Sequence, residues 1–344
     1  MPKFINHIGL DIGSESIKLV QLEQVGDKFS LQNIGQIETP VFPNQVDADK
    51  AKVEAIKKLI KDTGATSKQV TIALAESQVY TRVIEMPVLE EPELSQAIRW
   101  QVEQYIPVPL SDVVLKHQVL GKHDENKGII SNMNVLLVAA PSLLLNNLVN
   151  TLSSAGLEAV GIETEILAVA RTIVGAEENS PTTLLVHMGA ESTTLSILSR
   201  SDLVLTQAVS TGGQAVTRAI VTTLRLEVKQ AEEYKRTYGL DPTKLDGKVA
   251  GAIKPVIELL LSEIKRVLAF YNTHGVEDQV KRVVLTGGTS LLPGLIPHLA
   301  LSLDMEAQVG NPFHQINLNN QQKTLIGDNG SIYATAVGLA LKLT

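Results

Sequence analysis

The sequence predicts an α/β protein made of two related halves, an internally duplicated two-domain fold. The first observation is a repeat. The nonamer DIGSESIKL at residues 11–19 returns as HMGAESTTL at residues 187–195, keeping without a gap the glycine, the Glu-Ser pair and the final leucine. The second is periodicity: around each nonamer apolar residues alternate as in half-buried strands, and each half then passes into helical spacing.

In the first half, Ile8, Leu10 and Ile12 alternate with small or polar residues, Gly13-Ser14-Glu15 turns the chain, and Ile17, Leu19 and Leu22 alternate again. FSLQNIGQIETP supplies a third strand, ended by Pro40 and Pro43. A helix over roughly Ala48 to Asp62 places Val53, Ile56, Leu59 and Ile60 on one face, with Gly64 just past its end. QVTIALA is the next strand.

From about Val83 to Gly156 the chain reads as a separate insert. Pro92 suits a first helical position, and PELSQAIRWQVEQYI runs as an amphipathic helix until Pro107 stops it. On that helix Leu94, Ile98, Val102 and Tyr105 fall within about 80° of arc, whereas Trp100 falls about 160° from Val102. Trp100 is the only tryptophan. On the polar side it either packs on a neighbouring element or anchors a partner. A strand pair around the polar loop GKHDENKGIISN follows, and then the helix PSLLLNNLVNTLSSAGL. LEAVGIETEILAVARTIV reads as a strand entering a helix.

Ser180-Pro181 marks the boundary, after which strand, glycine turn and strand return. DLVLTQAVS is a third strand, Gly212-Gly213 a turn, and QAVTRAIVTTL a helix. VKQAEEYKRTYG and GAIKPVIELLLSEIKRVLAFYNTH are two more helices. KRVVLT leads into Gly287-Gly288, and IYATAVGLAL closes the chain as a helix of small residues. The expected organisation is a first domain over residues 1–83, completed by 156–179 and 331–344. Residues 84–155 are inserted in it. A second domain covers 180–330, with a helical part at about 225–280.

Composition narrows the function. No stretch approaches the roughly 18–20 apolar residues of a membrane span, and the N-terminus carries no signal-peptide pattern. With no cysteine there is no disulfide, thiolate metal site or cysteine nucleophile. A net charge of −7 and 3 % aromatic residues argue against nucleic acid and against direct membrane insertion. The expectation is a cytoplasmic protein.

A tight glycine hairpin points several backbone N–H groups into one concavity, which suits phosphate oxygens. Two copies in two lobes suggest a nucleotide gripped from both sides. Asp11 would supply a carboxylate for hydrated Mg²⁺, and Lys18 a point charge for phosphate. Gly287-Gly288 and Gly212-Gly213 are further candidate loops. Glu232 with Lys235 and Arg236 shares one helix face, the spacing of a surface ion-pair ladder as well.

These residues resemble a known family. The order of Asp-x-Gly-Ser hairpin, second glycine hairpin, Ala-Glu-Glu-x-Lys helix, Thr-Gly-Gly loop and small-residue closing helix is similar to the actin-like ATPase superfamily, with its ribonuclease H-like domains. Within it, AIRWQVEQYIPVP at residues 97–109 resembles the AIRWEAERYIPFP signature of the PilM family of pilus proteins. HMGAESTTL, AEEYKRTYG and GIETEILAVAR also lie near that family's wording. The resemblance covers essentially the whole chain. It implies an actin-like fold with an FtsA-type 1C insert, and ATP or ADP with Mg²⁺ as cofactors. It implies Asp11, Gly13, Ser14 and Lys18 as the first phosphate element, and Gly189 and Thr193 as the second. Glu232, Lys235, Arg236, Gly287 and Gly288 would hold the adenosine. Glu165 falls where relatives orient the attacking water. The resemblance further implies docking of the N-terminal tail of a PilN-like inner-membrane protein between subdomains 1A and 1C, near the helix of Trp100 and Tyr105. Other pilus components and a second copy of the chain are further candidate partners.

His187 is the departure, standing where the family has an aspartate. A neutral imidazole carries no negative charge and is a poor partner for Mg²⁺, which prefers oxygen. The expectation is ATP binding with slow or absent hydrolysis, since charge stabilisation is the main resource in phosphoryl transfer. Two other readings compete with this one. A sugar-type kinase of the same superfamily needs a carboxylate base near the transferred phosphate, in the region where His187 replaces an acid. An FtsA-like filament protein needs a terminal amphipathic membrane helix, whereas this sequence stops at ALKLT. The preferred reading is a cytoplasmic ATP-binding adaptor of pilus assembly that docks the PilN-like tail.

Overall fold

The computed structural model describes residues 6–42, 44–102, 105–126, 129–173, 181–199, 202–273 and 279–343. Pro43, the residues between Val102 and Tyr105, the tip of the expected polar loop at 127–128 and Ser180 lie outside the described residues.

The first half opens as expected with β1 (Ile8–Ile12), β2 (Ser16–Val25) and β3 (Lys28–Glu38), an antiparallel meander. Helix α1 (Gln45–Thr63) starts where the Asn44 side chain accepts from the Asp47 amide. It ends at Gly64, whose φ of 69° closes the last turn. Strand β4 (Gln69–Leu74) pairs parallel with β1. The insert holds β5 (Tyr80–Pro87), α2 (Glu91–Val102), β6 (Val113–Asn126), β7 (Ile129–Pro141) and α3 (Ser142–Ser154). Strand β8 (Glu158–Thr164) returns to the first sheet beside β4 and runs directly into α4 (Glu165–Ile173).

The second half repeats the plan with β9 (Thr183–Met188), β10 (Thr193–Ser199), β11 (Asp202–Val209), α5 (Gly213–Leu224), α6 (Val228–Tyr238), α7 (Lys248–Thr273) and β12 (Arg282–Thr286). Residues 289–331, for which the spacing predicts no element, hold α8 (Leu295–Leu303), β13 (Glu306–Val309), β14 (Ile316–Asn317) and α9 (Asn320–Ile326). A 3₁₀ stretch, Gly327–Tyr333, then enters α10 (Ala334–Ala340).

Strand order makes the duplication explicit. One sheet is β14-β3-β2-β1-β4-β8 and the other β11-β10-β9-β12-β13, while the insert has its own sheet, β5-β7-β6. Antiparallel β3-β2-β1 followed by parallel β4-β8 matches antiparallel β11-β10-β9 followed by parallel β12-β13. The polar loop expected in the insert is instead mostly strand, with β6 reaching Asn126 and β7 starting at Ile129. Backbone pairing between the two strands holds this ribbon, with registers such as Lys122 to Met133, so its sequence needs no apolar alternation. The insert's sheet begins at Tyr80.

The two halves meet on α4 and α10. Every residue of α10 is buried. At Gly338 an added Cβ would sit 1.9 Å from the Ala168 carbonyl oxygen, so only glycine lets α10 lie this close to α4. Arg171 of α4 makes a bidentate pair with Glu163, at 2.8 and 3.0 Å, and also donates to the Gly338 carbonyl. A shared cluster of Leu136, Ile166, Val169, Leu185, Val284 and Ala334 joins insert, first half and second half. The insert also has a core of its own, in which Leu94, Ile98 and Val102 of α2 face Met133 and Val135 of β7. Among the described residues no helix is long and apolar enough to cross a membrane.

Candidate functional site

The β1–β2 and β9–β10 hairpins face each other across a cleft of about 540 Å³. Each turn is closed by the same bond: the Gly13 amide donates to the Ser16 carbonyl at 3.1 Å, and the Gly189 amide to the Ser192 carbonyl at 2.9 Å. The amides next in line, of Ser14 and Glu15 and of Ala190 and Glu191, have no protein acceptor among the described residues. That leaves two small sets of N–H groups at the cleft wall, the arrangement that holds anions.

Register carries the symmetry into the side chains. Asp11 pairs with Lys18 across β1–β2, and His187 pairs with Thr194 across β9–β10. Lys18 Nζ reaches Asp11 Oδ2 at 3.1 Å, with both side chains largely buried. The matching pair of the second copy, His187 and Thr194, has no carboxylate and no ammonium. Burial pushes the His187 imidazole down to about 4, against the pull of the Asp11 carboxylate and with the Lys18 ammonium. Its Nδ1 lies 3.0 Å from Thr286 Oγ1, the neighbouring position on β12.

Glu165, the first residue of α4, lines the same cleft. Burial, and then the charges of Glu76 and Asp11, push its carboxyl well above the usual range, with Lys18 opposing. Behind it, Glu76 is 5 % exposed and accepts from the Ile166 amide at 3.0 Å. Burial raises the Glu76 carboxyl to about 7 despite that hydrogen bond.

The other predicted loops are sorted by the structure. Glu232, Lys235 and Arg236 line the cleft from α6. Lys235 is buried and donates to Thr217 Oγ1 at 3.0 Å, whereas the Arg236 side chain is 73 % exposed. The surface-ladder reading therefore fits Arg236 and fails for Lys235. Burial works against the Glu232 charge, yet hydrogen bonds from Lys235, Thr217 and Arg236 hold its carboxyl below the usual range. Gly287 and Gly288 also line the cleft. Gly287 has φ 85°, and a Cβ there would stand 2.4 Å from the Met188 carbonyl oxygen.

Three predicted residues are not on the wall. Thr193 is fully buried, and its hydroxyl donates to the Thr211 carbonyl at 2.6 Å. Strand alternation turns it away and presents Thr194 to the cleft instead. Gly212 and Gly213 stand behind the second hairpin, where the Gly213 amide donates to the Gly189 carbonyl at 3.0 Å. Residues missed from sequence are Thr194, Asn329, Ile332 and Tyr333. The nonamer alignment contains the signal for Thr194, which falls opposite Lys18. Asn329 lies in a stretch with no motif, and Ile332 and Tyr333 open the predicted closing helix but stand in the 3₁₀ stretch before it.

A second groove, of about 560 Å³, lies between the insert and the second half. Edge strands β5 and β11 line it, together with Val102, Tyr105 and Ile106 and with Phe270 of α7. Arg82 stacks over the Tyr105 ring at 4.9 Å. Trp100 does not line this groove, and it is 84 % exposed. Glu76 borders the groove from the side facing Glu165.

The family described as type IV pilus assembly protein PilM matches residues 9–344. The chain belongs to that family. A solved PilM-PilN type IV pilus biogenesis complex is similar with a TM-score of 0.84 and 28 % identity, over 98 % of each chain. The cell division protein FtsA of Streptococcus pneumoniae serotype 2 (strain D39) is 24 % identical over 326 residues, covering 84 % of this chain and 71 % of that protein. MreB 5 of Spiroplasma citri, solved bound to AMPPNP, shares the fold with a TM-score of 0.54 at 12 % identity, over 98 % of this chain and 95 % of that one. This PilM-family chain therefore has the actin-like fold that the resemblance implies.

Proposed function

We propose that this PilM-family chain is an ATP-binding adaptor of type IV pilus assembly that docks the N-terminal tail of a PilN-like inner-membrane protein. It would stand in the cytoplasm, peripheral to the membrane through that partner. The observation that carries the nucleotide reading is the facing pair of glycine turns, whose four free amides have no protein acceptor among the described residues, with Lys18 lining the same cleft. A cleft of about 540 Å³ lies in the usual range for small-molecule sites. The donor set fits phosphate on both walls and offers Asp11 as a carboxylate for hydrated Mg²⁺, for which one or two carboxylates suffice. When bound, that ion supplies charge compensation for the phosphates.

The chain's own residues favour holding the nucleotide over cleaving it. Lys18 gives a positive charge at the first hairpin, balanced in part by Asp11. His187 is neutral near pH 7 and adds no second carboxylate. Glu165 is held toward its protonated form, which weakens it as an acceptor for a proton from water. Slow or absent hydrolysis follows, and the same deficit disfavours the sugar-type kinase reading. The groove beside Tyr105 is the proposed seat of the partner's tail, which puts the tail between the insert and the second half rather than between subdomains 1A and 1C as the resemblance implies. Two edge strands line this groove, with apolar Val102 and Ile106 beside them.

Calorimetric titration of the nucleotide-stripped chain with ATP tests the first half of this reading. Binding supports it, and absence of binding leaves a nucleotide-independent scaffold. Titration with the partner's N-terminal peptide tests the second half.

A further inference from the structure

We propose that Thr286 fixes His187 as the Nε2–H tautomer, so that the second hairpin offers phosphate a neutral N–H donor where a carboxylate would direct a metal. The inference rests on the reading of the cleft as a nucleotide site. It starts from a count of protons. Thr286 is fully buried on β12, and its Oγ1 has one hydrogen-bond partner among the described residues, His187 Nδ1 at 3.0 Å. A buried hydroxyl that keeps its proton to itself is costly. The Thr286 hydroxyl therefore donates, Nδ1 accepts, and the ring proton sits on Nε2. The register pairing of Thr286 with His187 holds the two side chains side by side.

Nε2 has no protein partner among the described residues and is not among the buried unsatisfied atoms, so it opens onto the cleft that His187 lines. Thr194, the cross-strand neighbour of His187, adds a hydroxyl on the same wall. The Nε2–H and the Thr194 hydroxyl can both donate to phosphate oxygens, and a protonated Nε2 offers a cation no lone pair. Among the described residues no cluster of three or more His, Asp or Glu side chains could hold a metal ion. Thr286 is thus a positioning residue, acting on ligand through His187. Nucleotide affinity at this cleft depends less on a divalent metal than it would with a carboxylate on each hairpin.

The test has two parts, both on the full chain. Side-chain ¹⁵N NMR reads the tautomer directly, with the His187 signals assigned by their loss in His187→Gln. The expected pattern is protonated Nε2 and unprotonated Nδ1. Thr286→Val should shift the ring toward a tautomer mixture and Thr286→Ser should restore the pattern. An Nδ1–H ring in the parent chain overturns the proposal. ATP titrations are then run with Mg²⁺ and with EDTA. Affinities within tenfold of each other support the phosphate role, and His187→Asp should lose at least tenfold in EDTA while regaining dependence on Mg²⁺. Binding only with Mg²⁺ overturns the role and leaves the nucleotide reading intact. No binding under either condition overturns both, whatever the tautomer.

Discussion

Glu76 accepts a hydrogen bond from the Ile166 amide at 3.0 Å, and this contact lies between the nucleotide cleft and the groove beside the insert. Ile166 follows Glu165, which lines the nucleotide cleft, while Glu76 borders the groove beside the insert. The pair ties the turn that leads into the insert to the start of α4. The Glu76 carboxyl, whose charge helps to raise that of Glu165, therefore sits between the proposed ligand sites.

The Glu76 side chain should leave a pH signature in stability. Its folded-state value of about 7 lies above the ordinary 4.5, so the folded chain holds a proton that the unfolded chain releases. Stability from this group is present below the ordinary value and is lost as pH rises toward 7. Glu76→Gln should therefore be more stable than the parent at pH 8, by roughly 1–3 kcal/mol, with the difference vanishing near pH 4.5. Denaturant unfolding of both proteins at each pH checks this. A constant difference across the range would refute it. His187 acts in the opposite sense, because its lowered value costs stability as pH falls from 6.5 toward 4. Comparing the two proteins cancels that contribution.

Lys18 and Thr194 occupy matched positions, yet they should differ in weight. A charge-assisted contact to phosphate contributes about 1.5–3 kcal/mol and a neutral one about 0.5–1.5. Lys18→Ala should weaken ATP binding by roughly 10- to 100-fold, and Thr194→Ala by a few-fold. Calorimetry measures both, with thermal unfolding run alongside because the Lys18 change leaves Asp11 without its partner.

Of the glycines that line the cleft, Gly287 is the least tolerant of a side chain. Its φ of 85° with ψ of 173° belongs to glycine, and a Cβ would collide with the Met188 carbonyl oxygen. Gly287→Ala should cost on the order of 2–4 kcal/mol and displace the second hairpin. Gly288→Ala, with nothing near its added Cβ, should cost far less. Equal stability of the two variants would contradict this account.

For the partner, Tyr105 and Trp100 separate. Tyr105→Ala should weaken binding of the PilN-like tail by tenfold or more, since the ring lines the groove and carries the Arg82 contact. Trp100→Ala is expected to stay within twofold. As the only tryptophan, Trp100 also reports on its own surroundings. A blue shift of its emission on adding peptide would show the tail reaching the outer face of α2 and would reinstate it as an anchor.

Much of the architecture is legible in the sequence, because the repeated nonamer and the alternation around it are local patterns. The β1–β2 and β9–β10 hairpins, α1 with its glycine end, and the strand-to-helix passage at Glu165 all follow from spacing and turn chemistry. So does the replacement of an acid by His187. What spacing alone could not place is the long β6–β7 ribbon, which backbone pairing holds, and the stretch 289–331, where short elements take their shape from neighbours distant in sequence. β14 shows the reason: two residues join β3 only because the rest of the second half has carried them there.

At the site the same division holds. The sequence by itself determined which glycines turn the two hairpins and that one hairpin bears a Lys-Asp pair and the other a histidine. Only the tertiary structure decided which threonine faces the cleft, which glycines merely support it, and which atom His187 bonds. Those outcomes depend on the register of β9 against β10 and β12, and on α4 and α10 packing close enough to bring both halves together. Register and packing are properties of contacts between distant residues, and no local pattern encodes them.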